Sequence, residues 1–130
     1  MEISISHEQA RVPVTVFHIT GDIDAASYQQ LEQQTKQAIQ VGTRFLLLDL
    51  SKVPYISSYG IRGISQIFNW LRDQSEDDHT LSHGLRDGKY KAYHLKLANP
   101  TPRVHEVLTT TGIDMFVEIH PTLKAAIDSF

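Results

Sequence analysis

Two adjacent hydroxyls, Ser57 and Ser58, stand where an apolar run gives way to a helical pattern. Upstream, Phe45-Leu46-Leu47-Leu48 leads into Asp49-Leu50, a short apolar run of the kind found in a strand covered on both faces. Ser51-Lys52-Val53-Pro54 ends that strand, because Pro54 has no N–H to give a ladder. Downstream, Gly60 precedes Ile61, Ile64, Phe68 and Leu71, which recur on one face of a helix. The two serines therefore mark a helix N-terminus, where free N–H groups and the positive end of the helix dipole meet. Two chemistries fit. A serine here caps the helix, and one hydroxyl is enough for that. An exposed serine here can instead accept a phosphate or dock onto a partner. The local residues leave both open.

Other reactive patterns are weaker. A serine nucleophile on a strand-to-helix turn needs Gly-x-Ser-x-Gly, but Ile56 stands two residues before Ser58, so only the downstream Gly60 is present. His7, His18, His94, His105 and His120 are scattered singly and read as surface or strand residues rather than bases. His79 and His83 have the spacing of two ligands on one helical turn, yet their segment has no helical pattern and no further ligand cluster follows. The chain has no cysteine, which excludes disulfides, a thiol nucleophile and a Cys-ligated metal. Phosphate-cradling and dinucleotide glycine motifs are absent. The expectation is a protein that is not an enzyme, with no catalytic residue, no cofactor and no metal.

The elements that must position the serines follow from patterning. The 130 residues predict one domain, 1–130, and a hydrophobic fraction of 41% is enough for an ordinary core. A net charge of −3, from 15 acidic and 12 basic side chains, offers no basic face for nucleic acid. There is no basic-then-apolar N-terminus and no run approaching the ~20 apolar residues of a membrane span, so a cytoplasmic chain with no direct membrane insertion is expected. Ile3–Ser6 and Val12–Thr20 alternate as strands and form a hairpin, with His7–Arg11 as the turn and Pro13 at a strand start. Gly21-Asp22-Ile23-Asp24 opens a helix with Asp24 as N-cap, Tyr28, Leu31, Thr35, Ala38 and Ile39 on its inner side, and Gly42 as its stop. After the central strand and helix, residues 73–89 carry Asp73, Glu76, Asp77, Asp78 and Asp87 without apolar periodicity and read as a flexible acidic insertion. Tyr90–Leu97 reads as a strand burying Ala92, Tyr93, Leu95 and Leu97. Thr101 caps a helix with Pro102 at its first position, ending near Gly112. Phe116–Ile119 is a last strand, and Pro121-Thr122 starts a final helix with Leu123, Ala126, Ile127 and Phe130 on one face. The order is β-β-α-β-α-β-α-β-α, an α/β fold whose later strands are parallel with right-handed crossovers.

The run Asp49-Leu50-Ser51-Lys52-Val53-Pro54-Tyr55-Ile56-Ser57-Ser58-Tyr59-Gly60-Ile61 resembles the signature of STAS domains, the fold of anti-sigma factor antagonists and of the cytoplasmic tails of sulfate transporters. Thr20-Gly21-Asp22-Ile23-Asp24 is similar to the family's Gly-Glu/Asp-Leu/Ile-Asp segment, and Asn99 to Gly112 to its helix ending in Ser/Thr-Gly-hydrophobic. The likeness covers nearly the whole chain except 73–89. It implies a mixed sheet of about five strands with helices packed mainly on one face. It also implies a partner-switching module of the anti-sigma factor antagonist type, whose partner is an anti-sigma factor or serine protein kinase, with a serine phosphatase as a further partner. Position by position, Ser58 falls on the family's phosphoacceptor, ahead of Ser57, and Asp22, Asp24, Ser57, Ser58, Tyr59 and Arg62 fall on its partner-binding surface. Ser57 replaces the usual Asp, Tyr59 a small residue and Arg62 a common glycine, which makes the surface bulkier and more basic. The other reading the likeness implies is a non-phosphorylated scaffold, or a subunit of a membrane transport or signalling assembly.

Overall fold

The computed structural model describes residues 1–74 and 93–130. The expected insertion at 73–89 lies outside the described residues except for Asp73 and Gln74, as do His79, His83 and the start of the expected strand at Tyr90–Ala92. Five strands form one sheet in the order β1 (Glu2–Gln9), β2 (Pro13–Thr20), β3 (Leu46–Lys52), β4 (Leu95–Ala98), β5 (Glu118–His120). β1 and β2 pair antiparallel, and β2 through β5 are parallel. Each strand therefore lies beside its sequence neighbour. Stepping always in one direction with crossovers of one hand leaves every crossover helix on the same face. Among the described residues those helices are α1 (Tyr28–Gln40), α2 (Ser58–Gln74) and α3 (Pro102–Thr110). They bury Leu31, Ile64, Ile67, Leu71, Val104 and Leu108 against Phe17, Ile19, Leu46, Leu48, Leu50, Leu95 and Leu97 of the sheet.

The second face carries less. Helix α4 (Leu123–Asp128) sets Ala126 and the following Phe130 against Val14, Val16, Leu47 and Ala98. The buried Lys96 holds the end of this helix: its Nζ donates to the Ser129 carbonyl at 2.8 Å and to the Ser129 hydroxyl at 3.0 Å, and lies 4.7 Å from the Phe130 ring centre. Beyond α4 the same face is polar. There Ser6, His18 and Asp49 form a chain across three strands, Ser6 Oγ to His18 Nε2 at 2.9 Å and His18 Nδ1 to Asp49 Oδ2 at 2.8 Å. Burial pushes the Asp49 carboxyl up, but bonds from the His18 ring, the Ser51 N–H and the Ser51 hydroxyl together hold it below the usual carboxylate value.

Several boundaries differ from the expectation for identifiable reasons. β1 continues through His7, Glu8 and Gln9, which were expected to turn. They stay in register with Thr15, Val14 and Pro13, and the hairpin closes over Ala10–Val12 instead. An edge strand tolerates such polar residues because its outer side meets water. Asp24 does not cap α1. Its carboxylate accepts from the Ala26 N–H at 3.0 Å and the Ser27 hydroxyl at 3.2 Å, and so caps a separate turn, after which α1 begins at Tyr28. β3 starts at Leu46 and runs on to Lys52. α2 extends to Gln74, past the expected start of the insertion. The strand expected from Tyr90 is, in its described part, Leu95–Ala98, and Tyr93 is 45% exposed rather than buried. β5 lies two residues later than expected at its start. The Thr101 cap forms as expected, accepting from the Val104 N–H, and the last helix starts where expected, with the Thr122 side chain accepting from the Ala125 N–H.

One contact limits residue choice sharply. A Cβ on Gly60 would lie 2.5 Å from the Ile23 carbonyl oxygen and 2.6 Å from Ile56 Cγ1, whereas one on Gly63 would meet nothing closer than Tyr28 Cβ at 3.6 Å. Both glycines sit in α2, where alanine is the better helix former by about 1 kcal/mol. Gly60→Ala is expected to lose about 1–3 kcal/mol from overpacking against backbone. Gly63→Ala is expected to gain up to about 1 kcal/mol. Urea unfolding of both variants measures the pair, and shifts of the same sign would contradict this packing.

His94 supplies a pH dependence. Its ring stacks on Phe45 at 4.9 Å, and burial lowers its pKa from 6.5 more than its bond to the Arg44 carbonyl raises it. The folded chain then takes up this proton less readily than the unfolded one. The stabilisation is complete above 6.5 and is lost as pH falls below that value toward the folded pKa. Asp49 acts in a separate window, its contribution present above 3.8 and lost as pH falls through its lower folded value. Unfolding free energy measured between about pH 7.5 and 5 should fall with pH, and His94→Gln should flatten that slope.

Candidate functional site

The two serines lie at the carboxyl ends of the parallel strands, where two loops are tied together through their backbones. The Gly21 N–H donates to the Lys52 carbonyl at 3.0 Å, the Ile23 N–H to the Tyr55 carbonyl at 3.0 Å, and the Ser57 N–H to the Ile23 carbonyl at 2.9 Å. Ile23 and Ile56 form an isolated parallel bridge, and both side chains are buried. The β2–α1 loop is thus a short continuation of the sheet beside the β3–α2 loop. The close approach at Gly60 described above is the other side of this seam.

Ser57 and Ser58 have separate duties. Ser57 is half-buried, its carbonyl accepts the Ile61 N–H at 3.0 Å, and its hydroxyl accepts the Gly60 N–H at 3.4 Å, so it caps α2. Ser58 occupies the first helical position, is exposed, and has no hydrogen-bond partner for its hydroxyl among the described residues. The first turn of α2 carries no acidic residue, so the positive end of its dipole is not offset there. Arg62 follows Ser58 by one helical turn, is exposed, and has no acidic partner among the described residues.

Tyr59 is 44% exposed, and its ring lies 5.6 Å from that of Tyr28 at an interplanar angle of 37°. Asp22 is exposed, and its backbone carbonyl accepts the Ser27 hydroxyl at 2.7 Å. The structure therefore gathers the loops bearing Asp22, Asp24, Ser57, Ser58, Tyr59 and Arg62 at one end of the sheet. Among the described residues it makes no side-chain bond from either aspartate to the serines or to Arg62.

Three neighbours were missed by sequence reasoning. Tyr28 joins through the ring contact with Tyr59. Tyr55 is partly exposed and lies under the Arg103 guanidinium, whose carbon is 5.1 Å from the ring centre. Arg103 belongs to α3, and the loop before that helix is held in place by the Thr101 hydroxyl, 3.5 Å from the Val53 carbonyl. No spacing pattern links these residues; the parallel crossover brings them together. No group of three or more metal-ligating side chains occurs among the described residues, and none of their helices is long and apolar enough to cross a membrane.

The fold matches several solved structures. A Thermotoga maritima protein assigned as an anti-sigma factor antagonist superposes with a TM-score of 0.75 at 17% identity, covering 98% of this chain and 92% of the other. An anti-sigma factor antagonist from Mycobacterium paratuberculosis gives 0.71 at 21% identity, covering 98% and 93%. The anti-sigma factor antagonist SpoIIAA in its unphosphorylated form gives 0.68 at 18% identity, covering 97% and 95%, and the phosphorylated form of the Bacillus protein gives 0.61 at 16%, covering 97% and 98%. No curated protein matches the sequence. The family model that matches is that of the STAS domain, over residues 6–75. It spans β2, both loops of the site, and α2, and with the shared architecture of all five strands it places this chain in the STAS domain family.

Proposed function

We propose that this chain is a regulatory binding module of the anti-sigma factor antagonist type, which acts by partner switching and loses affinity when Ser58 is phosphorylated. One observation carries the reading: Ser57 caps α2, and the exposed hydroxyl of Ser58 has no hydrogen-bond partner among the described residues. This supports a reading in which Ser57 takes the cap and Ser58 the modification, the two chemistries that the sequence left open. The partner is an anti-sigma factor or serine protein kinase in the cytoplasm, with a serine phosphatase restoring the unmodified state. The neighbours named as anti-sigma factor antagonists, one of them solved with and without phosphate, support this reading.

The mechanism follows from charge. A phosphate adds about 1.5 to 2 negative charges. At the first position of a helix whose first turn has no carboxylate, that charge is accommodated by the chain itself. Its effect falls on the partner contact, through desolvation and repulsion from acidic partner groups. Asp22 and Asp24 on the β2–α1 loop, and Tyr59 and Arg62 on the first turns of α2, frame that contact. Tyrosine and arginine are the side chains that most often anchor interfaces, so the two replacements of small residues strengthen the docking reading.

Ser58→Ala should cost at most about 1 kcal/mol of folding stability, because Ser57 keeps the cap. Ser58→Asp should be neutral or mildly stabilising at the positive helix end. In binding the two must diverge. Against a partner isolated with the wild-type chain, the alanine variant should bind as wild type, and the aspartate variant at least tenfold more weakly, about 1.4 kcal/mol. Intact-mass analysis of protein taken from its host should place a phosphate on Ser58. Equal affinities and no phosphate under any growth condition would leave the non-phosphorylated scaffold as the reading.

A further inference from the structure

We propose that Ser6 is a nucleophile activated by the His18–Asp49 pair, able to accept an acyl group from small activated esters. The three residues are remote in sequence and lie on β1, β2 and β3, on the sheet face opposite α1, α2 and α3 and therefore apart from Ser58. Their order and atoms are those that acyl transfer requires. His18 Nδ1 faces Asp49 Oδ2 at 2.8 Å, and His18 Nε2 faces Ser6 Oγ at 2.9 Å. An ionised carboxylate only accepts, so in the neutral ring the proton sits on Nδ1 and the Nε2 lone pair is left for the serine O–H. Asp49 is itself fixed by the Ser51 N–H on its other oxygen at 3.1 Å. It acts as a positioning residue, which sets the tautomer and supports the charge that develops on the ring.

Access fits the same use. The His18 side chain is 33% exposed and the Asp49 side chain 14%, so the base is reachable and its orienting carboxylate is sheltered. β1 is an edge strand. With p-nitrophenyl acetate, Ser6 Oγ forms a bond to the acetyl carbonyl carbon and its proton passes to His18 Nε2. The bond to the p-nitrophenyl oxygen breaks and p-nitrophenolate leaves, while the proton is released from His18 to solvent. Water then adds to the acyl carbon with His18 taking one of its protons, and that proton returns to Ser6 Oγ as acetic acid departs and ionises to acetate in solvent.

The test uses the whole chain with a fluorophosphonate probe and with p-nitrophenyl acetate, the adduct being located by peptide mass. The adduct is expected on Ser6 and not on Ser58, and in the native chain faster than in the chain unfolded by urea. His18→Ala should slow labelling at least about 100-fold, the usual scale for a general base. Added imidazole should restore part of the rate, a recovery that a merely structural histidine does not give. Asp49→Asn should slow labelling at least about tenfold by favouring the wrong tautomer. Labelling of Ser6 no faster than in the unfolded chain overturns the proposal, and this comparison needs no variant to fold. A native rate unchanged by His18→Ala overturns it as well.

Discussion

The arrangement at the candidate site depends on a contact between two loops that are not strands. The Ile23–Ile56 bridge and its two backbone hydrogen bonds weld the β2–α1 loop to the β3–α2 loop. The weld leaves no room for a side chain on α2 at Gly60. With the Ile23 carbonyl committed to the Ser57 N–H, the start of α2 is fixed relative to the sheet rather than left to local helix preference. Loops that are paired in this way display side chains from defined positions, which is what a docking surface needs if ordering is not to oppose binding.

That seam also separates the two hydroxyls. Ser57 is drawn inward by its N–H bond to Ile23 and caps the helix, while Ser58, one residue on, points to solvent. The surrounding side chains come from four elements and mix charge with aromatic area. Tyr28 and Tyr59 pair on one flank, and Tyr55 and Arg103 on the other. Arg62, one helical turn after Ser58, is exposed and has no acidic partner among the described residues.

Much of this was legible in the residues. The apolar run at Leu46–Leu48, the break at Pro54 and the recurrence of Ile64 and Leu71 located the central strand, the loop and the helix, because burial on two faces and burial on one leave different periods. The Thr101 cap was legible too, since Thr-Pro before apolar positions is local chemistry. What failed was whatever tertiary packing decides. Asp24 has the composition of a helix cap but is used one turn earlier. His7, Glu8 and Gln9 read as a turn because polarity cannot distinguish an edge strand from a loop. Tyr93 was expected inside on strand alternation, but the described strand begins after it. The Ser6–His18–Asp49 chain had no linear signal at all, since sheet registration alone makes its members neighbours.

Lys96 gives the last helix a particular character. At six residues α4 is far shorter than the ~12–15 that hold a helix in water unaided. It persists because Ala126 and Phe130 are buried and because a lysine from β4 satisfies the carbonyl at its end. Secondary and tertiary structure are therefore not independent here: the helix cannot leave the sheet and remain a helix. Its amides should share one opening free energy with the apolar patch beneath them, so that deuterium enters α4 at the rate at which the second face of the sheet is uncovered.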